Sequence, residues 1–475
     1  MPNMTLRIPF DNSYARLPSN FYSKLTAKSV SSPSLIAYNR PLARELGITC
    51  GNDQQVIEIF SGNKVAAGSD PLAQLYAGHQ FGQYNPQLGD GRALLLGETI
   101  TSDGVRHDIQ LKGSGPTPYS RSGDGRAWLG PILREYIVSE AMHALGIPTT
   151  RALAAILSGE TVIREDIFPG AILTRVASSH IRIGTFQVFS ARRDWTSLQT
   201  LLDYAIERHY PYAEGPLGFF EEVVKAQAAL IPKWMGVGFI HGVMNTDNCQ
   251  IAGQTIDYGP CAFMDRFHPM RVYSSIDRMG RYAYGRQLDI IVWNMAQLAT
   301  ALVPLMPDTD EAFQAFTNAI NVMPYKIKKN WLKVFSEKIG ISAIQSGDED
   351  LINALLTLMA EGNADFTNTF SALSTKSARD QFMEPQKYDN WEKEWETRIL
   401  HEKDPIALMK KVNPVLIPRN HRIEEMISAA LKEDYAPFER LQRALSAPFE
   451  QNPAFSDLRH PPSDTEEVKA TFCGT

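Results

Sequence analysis

The sequence predicts an α+β fold with its strands and helices segregated, and three observations carry that prediction. Short runs with β-type patterning crowd the segment from about 90 to 190. From about 195 onward the apolar residues recur mostly at helical spacing. The chain has 475 residues, 44% apolar and 21% charged, an ordinary globular composition that can bury a large core without staples. Whole-chain disorder, collagen and coiled coil are thereby excluded. At ~150 residues per domain the length suits about three domains, or two large lobes sharing a cleft. Segregation of strands from helices favours two lobes. The expected boundaries are a strand-rich N-lobe over 1–190, a helical C-lobe over 191–446 and an irregular tail over 447–475, where Pro448, Pro453, Pro461 and Pro462 fall.

Each element has its own signal. Residues 93–100 (Ala-Leu-Leu-Leu-Gly-Glu-Thr-Ile) read as a strand. Ser102-Asp103-Gly104 supplies turn residues that tolerate positive φ, and 105–112 alternates apolar and polar, so the three form a hairpin. Residues 129–145 carry apolar side chains along one helical face, and Gly146 with Pro148 stops that helix. Two further strands are expected at 161–164 and 171–176, turned by Phe168-Pro169-Gly170. Helices are expected at 195–208, 219–235 and 287–302, with weaker signals at 308–335, 350–361 and 421–445. The polar stretches 340–350 and 364–380 read as loops, and 250–256 as a tight hairpin.

Charge and composition narrow the function. The net charge of −6 excludes a general nucleic-acid binder, which needs a basic surplus. Uninterrupted apolar runs such as 152–157 fall far short of the ~18 residues of a membrane span. No secretory signal is visible at the start of the chain, and Cys50, Cys249, Cys261 and Cys473 are scattered, with no C-x-x-C. The expectation is a cytoplasmic protein without a zinc site.

Several short strings can carry chemistry. Gly89-Asp90-Gly91-Arg92 precedes a strand; glycines let backbone N–H groups approach phosphate, and arginine adds a bidentate cation, although the same string also makes an ordinary turn. Lys112 ends a strand, and Glu135 lies in the next helix. A strand lysine fixed by a helix glutamate is how protein kinases hold their phosphate-binding lysine; the plainer reading is a solvated strand end. The loop Arg121-Ser122-Gly123-Asp124-Gly125-Arg126 suits a polyanion or is simply polar. Arg175 and Arg182 are phosphate ligands or surface charges. The sharpest string is His241-Gly242-Val243-Met244-Asn245-Thr246-Asp247-Asn248, followed by Asp257-Tyr258-Gly259. His241 and Asn248 keep the spacing of a kinase catalytic loop, and Asp257 stands where its metal-binding aspartate would stand. The base position is Val243, which accepts no proton, and an acid appears instead at Asp247. Asn and Asp oxygens are hard ligands suited to Mg²⁺ among nucleotide phosphates.

These strings resemble the selenoprotein O family, atypical kinase-like protein adenylyltransferases. The resemblance rests also on Tyr76-Ala77-Gly78-His79-Gln80-Phe81-Gly82, Lys112-Gly113-Ser114-Gly115, Arg134-Glu135 and Gly146-Ile147-Pro148-Thr149-Thr150-Arg151, in order from about 76 to 300. It implies an atypical protein-kinase-like two-lobed fold that binds ATP inverted and transfers AMP to Ser, Thr or Tyr hydroxyls of proteins, itself included. By the resemblance, Gly89, Gly91, Arg92, Lys112, Asp124, Gly125, Arg175, Arg182 and Asp257 contact nucleotide. Glu135 orients Lys112, Asn248 and Asp257 hold Mg²⁺ or Mn²⁺, and Asp247 is the catalytic base. Two other readings use the same residues: UMP transfer from UTP with Mn²⁺, and a non-catalytic nucleotide-binding pseudokinase scaffold. In some relatives a cysteine third from the end forms a disulfide with one after the Asp-Tyr-Gly string. Here Cys473 is present, but 266–277 contains no cysteine.

Overall fold

The computed structural model describes residues 5–49 and 51–472. In chain order the strands are β1 (Tyr22–Lys24), β2 (Ser34–Tyr38), β3 (Leu72–Gln74), β4 (Gly78–Gln80), β5 (Gln83–Asn85), β6 (Ala93–Ile100), β7 (Arg106–Lys112), β8 (Ala127–Trp128), β9 (Arg151–Ile163), β10 (Ile167–Ala177), β11 (Phe239–Ile240) and β12 (Ala262–Phe263). The helices are α1 (Arg40–Glu45), α2 (Asp53–Phe60), α3 (Leu129–Ala144), α4 (Ile183–Ala191), α5 (Trp195–His209), α6 (Gly215–Gly236), α7 (Gln287–Leu302), α8 (Thr309–Lys338), α9 (Asp348–Glu361), α10 (Phe366–Leu373), α11 (Pro385–Ile399), α12 (Pro405–Val412), α13 (Asn420–Ala430) and α14 (Ala436–Leu445). The main sheet is complete by Ala177 and the chain beyond it is mostly helical, but α1 to α3 fall among the strands and β11 and β12 among the helices, a mixture compatible with an α+β class.

The main sheet runs β1-β3-β6-β7-β10-β9-β2, with β8 added to β10. Its pairings are antiparallel, and β7 lies between β6 and β10 with Lys112 opposite both Ala93 and Leu173. One face of the sheet packs on α1 and α2 through Leu94, Leu111, Ile156 and Ile172. The other face joins Leu95 and Leu173 to α3, α4, α6 and α7 in one continuous core that also takes in Ile423 and Leu441 from α13 and α14. A separate core holds α9 to α12 around Trp391, Trp395 and Phe370.

The β6–β7 hairpin forms as expected, and so does the stop of α3, where Gly146 takes φ +74° and Ile147 N–H bonds back to Met142. Elsewhere the structure corrects the sequence reading. β9 and β10 are far longer than anticipated, and their turn lies at 164–166, closed by Arg164 N–H to Asp166. Pro169, taken for a turn residue, sits inside β10 at a register shift, where a strand tolerates a missing N–H. The stretch 364–380 is no continuous loop. Asp365 caps α10 by accepting from Asn368 N–H at 2.8 Å, and Phe366, Phe370 and Leu373 form a buried face that the intervening polar residues conceal. The single helix expected over 421–445 is two, because Pro437 requires a new start. Helix α3 is buried nearly all round instead of on one face, since α13 and α14 cover its far side.

Residues 250–256 form a turn whose arms do not pair with each other: Gln250 bridges to Arg182 and Thr255 to Thr149. The stretch Tyr284–Leu305 is long and apolar enough, by composition alone, to cross a membrane, although it contains no uninterrupted apolar run of that length. In this fold it packs as a core helix against α4, α6 and α8. The tail is irregular but anchored. After a 3₁₀ turn at Pro453–Arg459, Thr471 bridges to Ser274, and its Oγ1 donates to the Pro260 carbonyl at 2.6 Å. Cys473 lies outside the described residues.

Candidate active site

Between the sheet and the helices lies a cleft of about 530 Å³. Gly89, Gly91, Arg92, Lys112, Asp124, Gly125, Arg175, Arg182, Asp247, Asn248 and Asp257 all line it. Residues spread over 169 positions therefore converge on one cavity, as the motif reading required.

Lys112 occupies the last position of the central strand β7, and Glu135 stands one helical turn and a half into α3, which crosses beneath β9 and β10. Their buried side chains form an ion pair. Glu135 Oε1 also accepts from Arg175 Nη1 at 3.3 Å, and Arg175 Nε donates to Gln110 Oε1 at 2.7 Å. Arg175 and Arg182 are fully buried, so the alternative of surface charges is ruled out. Arg182 stacks over the Tyr76 ring at 4.3 Å and faces Asp90 at 3.5 Å. Asp90 is itself a hub that sequence reasoning left without a role. It accepts from Gln74 N–H at 3.1 Å and Gln110 Nε2 at 3.0 Å, tying the Gly-Asp-Gly turn to the sheet.

These cations meet at Asp257. Its Oδ1 lies 2.7 Å from Arg175 and 3.6 Å from Lys112, and Oδ2 lies 3.7 Å from Arg182. Burial alone would raise its pKa, but the three positive charges outweigh burial and hold it well below the ordinary carboxylate range. Asp257 takes φ +61°, a left-handed conformation uncommon for a side-chain residue and typical of functional sites. His241 supports that bend from below. It is buried against Trp234 and bonds the Ile256 carbonyl through Nε2 at 2.8 Å, directly before Asp257. Its role here is architectural.

Asp247 is the electrostatic opposite. It is nearly buried in the 3₁₀ turn Thr246–Asn248, and its Oδ2 accepts from Gln80 Nε2 at 3.1 Å, while Oδ1 has no hydrogen-bond partner. Burial lifts its pKa to about 6 against the pull of that bond and of Arg182. The β4–β5 hairpin holds this turn in place: His79 N–H donates to Thr246 Oγ1 at 2.7 Å and Phe81 N–H to Asn245 Oδ1 at 3.1 Å. Gly78 is obligatory here, since a Cβ would stand 2.6 Å from Asp247 Oδ1. Gln80 and Gly78 belong to the Tyr76–Gly82 string, which carried family likeness but no assigned chemistry. The dense polar residues flanking its two glycines were the available signal.

Asn248 donates through Nδ2 to the Val243 carbonyl at 3.0 Å, which leaves Oδ1 uncommitted. Among the described residues no cluster of three His, Cys, Asp or Glu forms an all-protein metal cage. The available donors are the hard oxygens of Asn248 and Asp257, a set that fits Mg²⁺ or Mn²⁺ whose remaining ligands come from phosphates and water. Asp124 lines the rim, where Arg164 pairs with its carboxylate at 2.9 and 3.0 Å and so staples the loop. The loop also depends on Gly125, at φ +67°, where a Cβ would collide with Gly115. Arg92 lines the cleft with no carboxylate partner among the described residues. Cys249 and Cys261 are buried free thiols whose pKa burial pushes up to about 12, so neither is a ready redox partner.

This layout defines a class: an enzyme of phosphate-bearing substrates, with fixed cations for phosphate oxygens and two carboxylates whose pKa values are shifted in opposite directions. The chain belongs to the SelO family, since the family model described as Protein adenylyltransferase SelO matches residues 4–446. It is 61% identical over 472 residues to a protein nucleotidyltransferase YdiU of a Ruegeria species, covering 99% of this chain and 100% of that one. The proteins of the same name from Ruegeria pomeroyi and Roseobacter denitrificans are 60% and 59% identical, again over 99% of this chain and 100% of theirs.

Proposed function

We propose that this protein transfers AMP from ATP to Ser, Thr or Tyr hydroxyls of proteins and releases pyrophosphate, with ATP turned round relative to an ordinary kinase. The observation that carries this reading is the pairing of Val243 with Asp247. The usual base position is apolar, while a buried carboxylate with an empty acceptor stands four residues on in the same cleft. Inverting the nucleotide brings the α-phosphorus, and not the γ-phosphorus, to that carboxylate.

In this reading the sheet-rich part through 190 is the N-lobe and 191–446 the C-lobe of a kinase-like pair, with the cleft between them. Lys112, Arg175, Arg182 and Arg92 bind the phosphates. Glu135 keeps Lys112 pointed inward, and the glycines at 89, 91 and 125 let the chain approach the ligand. Asn248 and Asp257 would hold the divalent ion, which when bound would offset the negative charge of the phosphates. Asp247 accepts the proton of the attacking protein hydroxyl as the new phosphodiester forms. The bond from the α-phosphorus to the bridging oxygen breaks, and the charge arriving on pyrophosphate is met by cations already in place. The proposed reaction consumes ATP, so the cytoplasm is the proposed compartment.

The test is ATP labelled separately at the α- and γ-positions, with Mg²⁺, and this protein or casein as acceptor. Label should reach protein from the α-position only, and Asp247→Ala should abolish it. Transfer from the γ-position would overturn the inverted placement. Preference for UTP in competition would replace AMP by UMP, and tight ATP binding without transfer would favour a scaffold.

A further inference from the structure

The reaction proposed above needs a protein acceptor, and one mouth of the cleft has features suited to receiving it. At that end Gln80, Phe81, Asn245, Asp247 and Ile276 line the cavity. Two walls flank the mouth. One is the tip of the β4–β5 hairpin, where Phe81 is held at φ +52° by its N–H bond to Asn245. The other is the segment 276–281, which follows the Asp-Tyr-Gly string. The walls are braced against each other: the Phe81 ring meets Tyr282 edge-on at 5.1 Å, and Tyr282 Oη donates to the same Asn245 Oδ1 at 2.6 Å. Asp277 locks the second wall by accepting from Arg281 N–H and Tyr282 N–H at 2.8 and 2.7 Å.

These walls present apolar and basic side chains outward together. Ile276 is 52% exposed and Met279 is 85% exposed. Arg281 lies 4.7 Å over the Trp293 ring and 5.7 Å from Tyr282, so its guanidinium is preorganised by aromatic faces. Among the described residues neither Arg281 nor the exposed Arg278 has a carboxylate partner, on a chain whose net charge is −6. Positive charge left unpaired at the mouth of a site, beside exposed apolar side chains, is complementary to an acidic, partly apolar segment.

We infer that the rim formed by Ile276, Arg278, Met279 and Arg281 docks the acceptor protein as an extended segment with an acidic side chain near the target hydroxyl, and that Arg281 is a specificity-determining residue. The inference rests on the proposed transfer for the identity of the acceptor, but docking itself is measurable without turnover.

The experiment uses the full chain and a set of fluorescent peptides with one central serine, each bearing Glu or Lys at a single flanking position, with one Met or Leu. Anisotropy with ATP present gives peptide affinity, and mass gain on the peptide gives KM and kcat. Acidic peptides should bind about tenfold tighter than their lysine counterparts at one or two positions, as expected for a few partly desolvated charge contacts. Arg281→Glu should reverse that preference while ATP affinity and kcat stay within about threefold. Met279→Glu, at an exposed position where folding is not at risk, should weaken acidic peptides in the same direction. Equal affinity for Glu and Lys peptides at every position, or an unchanged ratio in Arg281→Glu, would overturn the docking surface. Acidic preference by anisotropy with no mass gain on any peptide would uphold the docking surface and count against the proposed reaction alone.

Discussion

Asp247 and Asp257 are ten residues apart and line one cleft, the first buried and the second half-buried, yet their pKa values are pushed in opposite directions. Asp257 faces three cations and is pinned as an anion far below its ordinary range. Asp247 has one neutral amide donor and an idle oxygen, and burial lifts it to about 6. Burial is common to both; the difference is how many cations the sheet delivers. β7 and β10 bring Lys112 and Arg175 to the Asp257 side, whereas the β4–β5 hairpin brings Gln80 to the Asp247 side. In the proposed reaction the two carboxylates thus divide into a charge anchor and a proton acceptor according to which strand end they meet.

The largest expected effect separates the two directly. Asp247→Asn removes the proton acceptor but leaves the cations paired, so kcat should fall by about 10²- to 10⁴-fold with ATP affinity little changed. Isothermal titration beside single-turnover kinetics checks this, and a parallel loss of ATP affinity would erase the contrast. Asp257→Asn should lower kcat/KM by about 10²- to 10³-fold and, unlike the first variant, weaken the dependence on Mg²⁺ concentration. An unaltered Mg²⁺ titration would remove Asp257 from the ligand set.

A smaller effect sharpens the anchor side. Glu135→Gln and Lys112→Met should each weaken nucleotide binding, and their double-mutant cycle should show coupling of about 0.5–3 kcal/mol. Additive losses would mean that Glu135 serves Arg175 alone.

The smallest effect tests the same physics away from the cleft. Lys338 is buried, donates to Asn413 Oδ1 at 2.9 Å and lies 4.2 Å over the Phe370 ring, with no carboxylate partner among the described residues. Burial lowers its pKa from 10.5 to about 7. Between those values the unfolded chain holds a proton that the folded chain has released, so this group makes stability rise with pH across that window. Urea unfolding at pH 7 and pH 9 should show the rise, and Lys338→Met should flatten it.

Much of this was legible in the sequence because it rests on local chemistry. The β6–β7 hairpin follows from its alternation and its Asp-Gly turn, α3 ends at Gly146, and the order of Lys112, Glu135, Asn248 and Asp257 foretold that these residues meet at one cleft. What could not be read depended on distant neighbours. The all-round burial of α3 comes from helices nearly 300 residues later, and a one-face period says nothing of a second cover. α10 hid because Thr, Asn and Ser occupy its other positions. Gln80 reaches Asp247 across 167 residues, a contact that no spacing rule addresses. Asp124 illustrates the reverse: a motif placed it at the rim, but Arg164, contributed by the turn between β9 and β10, claims its carboxylate.

The anchored tail has a consequence for how the molecule is made. Thr471 bonds the Pro260 carbonyl across 211 residues and pairs beside Ser274, while Asp464 and Glu467 reach Arg266 and Arg271. The stretch that leaves Asp257 and leads to the cleft mouth therefore lacks its last neighbours for as long as those residues are still unmade on the ribosome. A nascent chain can have every cleft-lining residue in hand and still lack the strap that fixes one wall, so synthesis of residues 464–471 is itself a step in assembling the site.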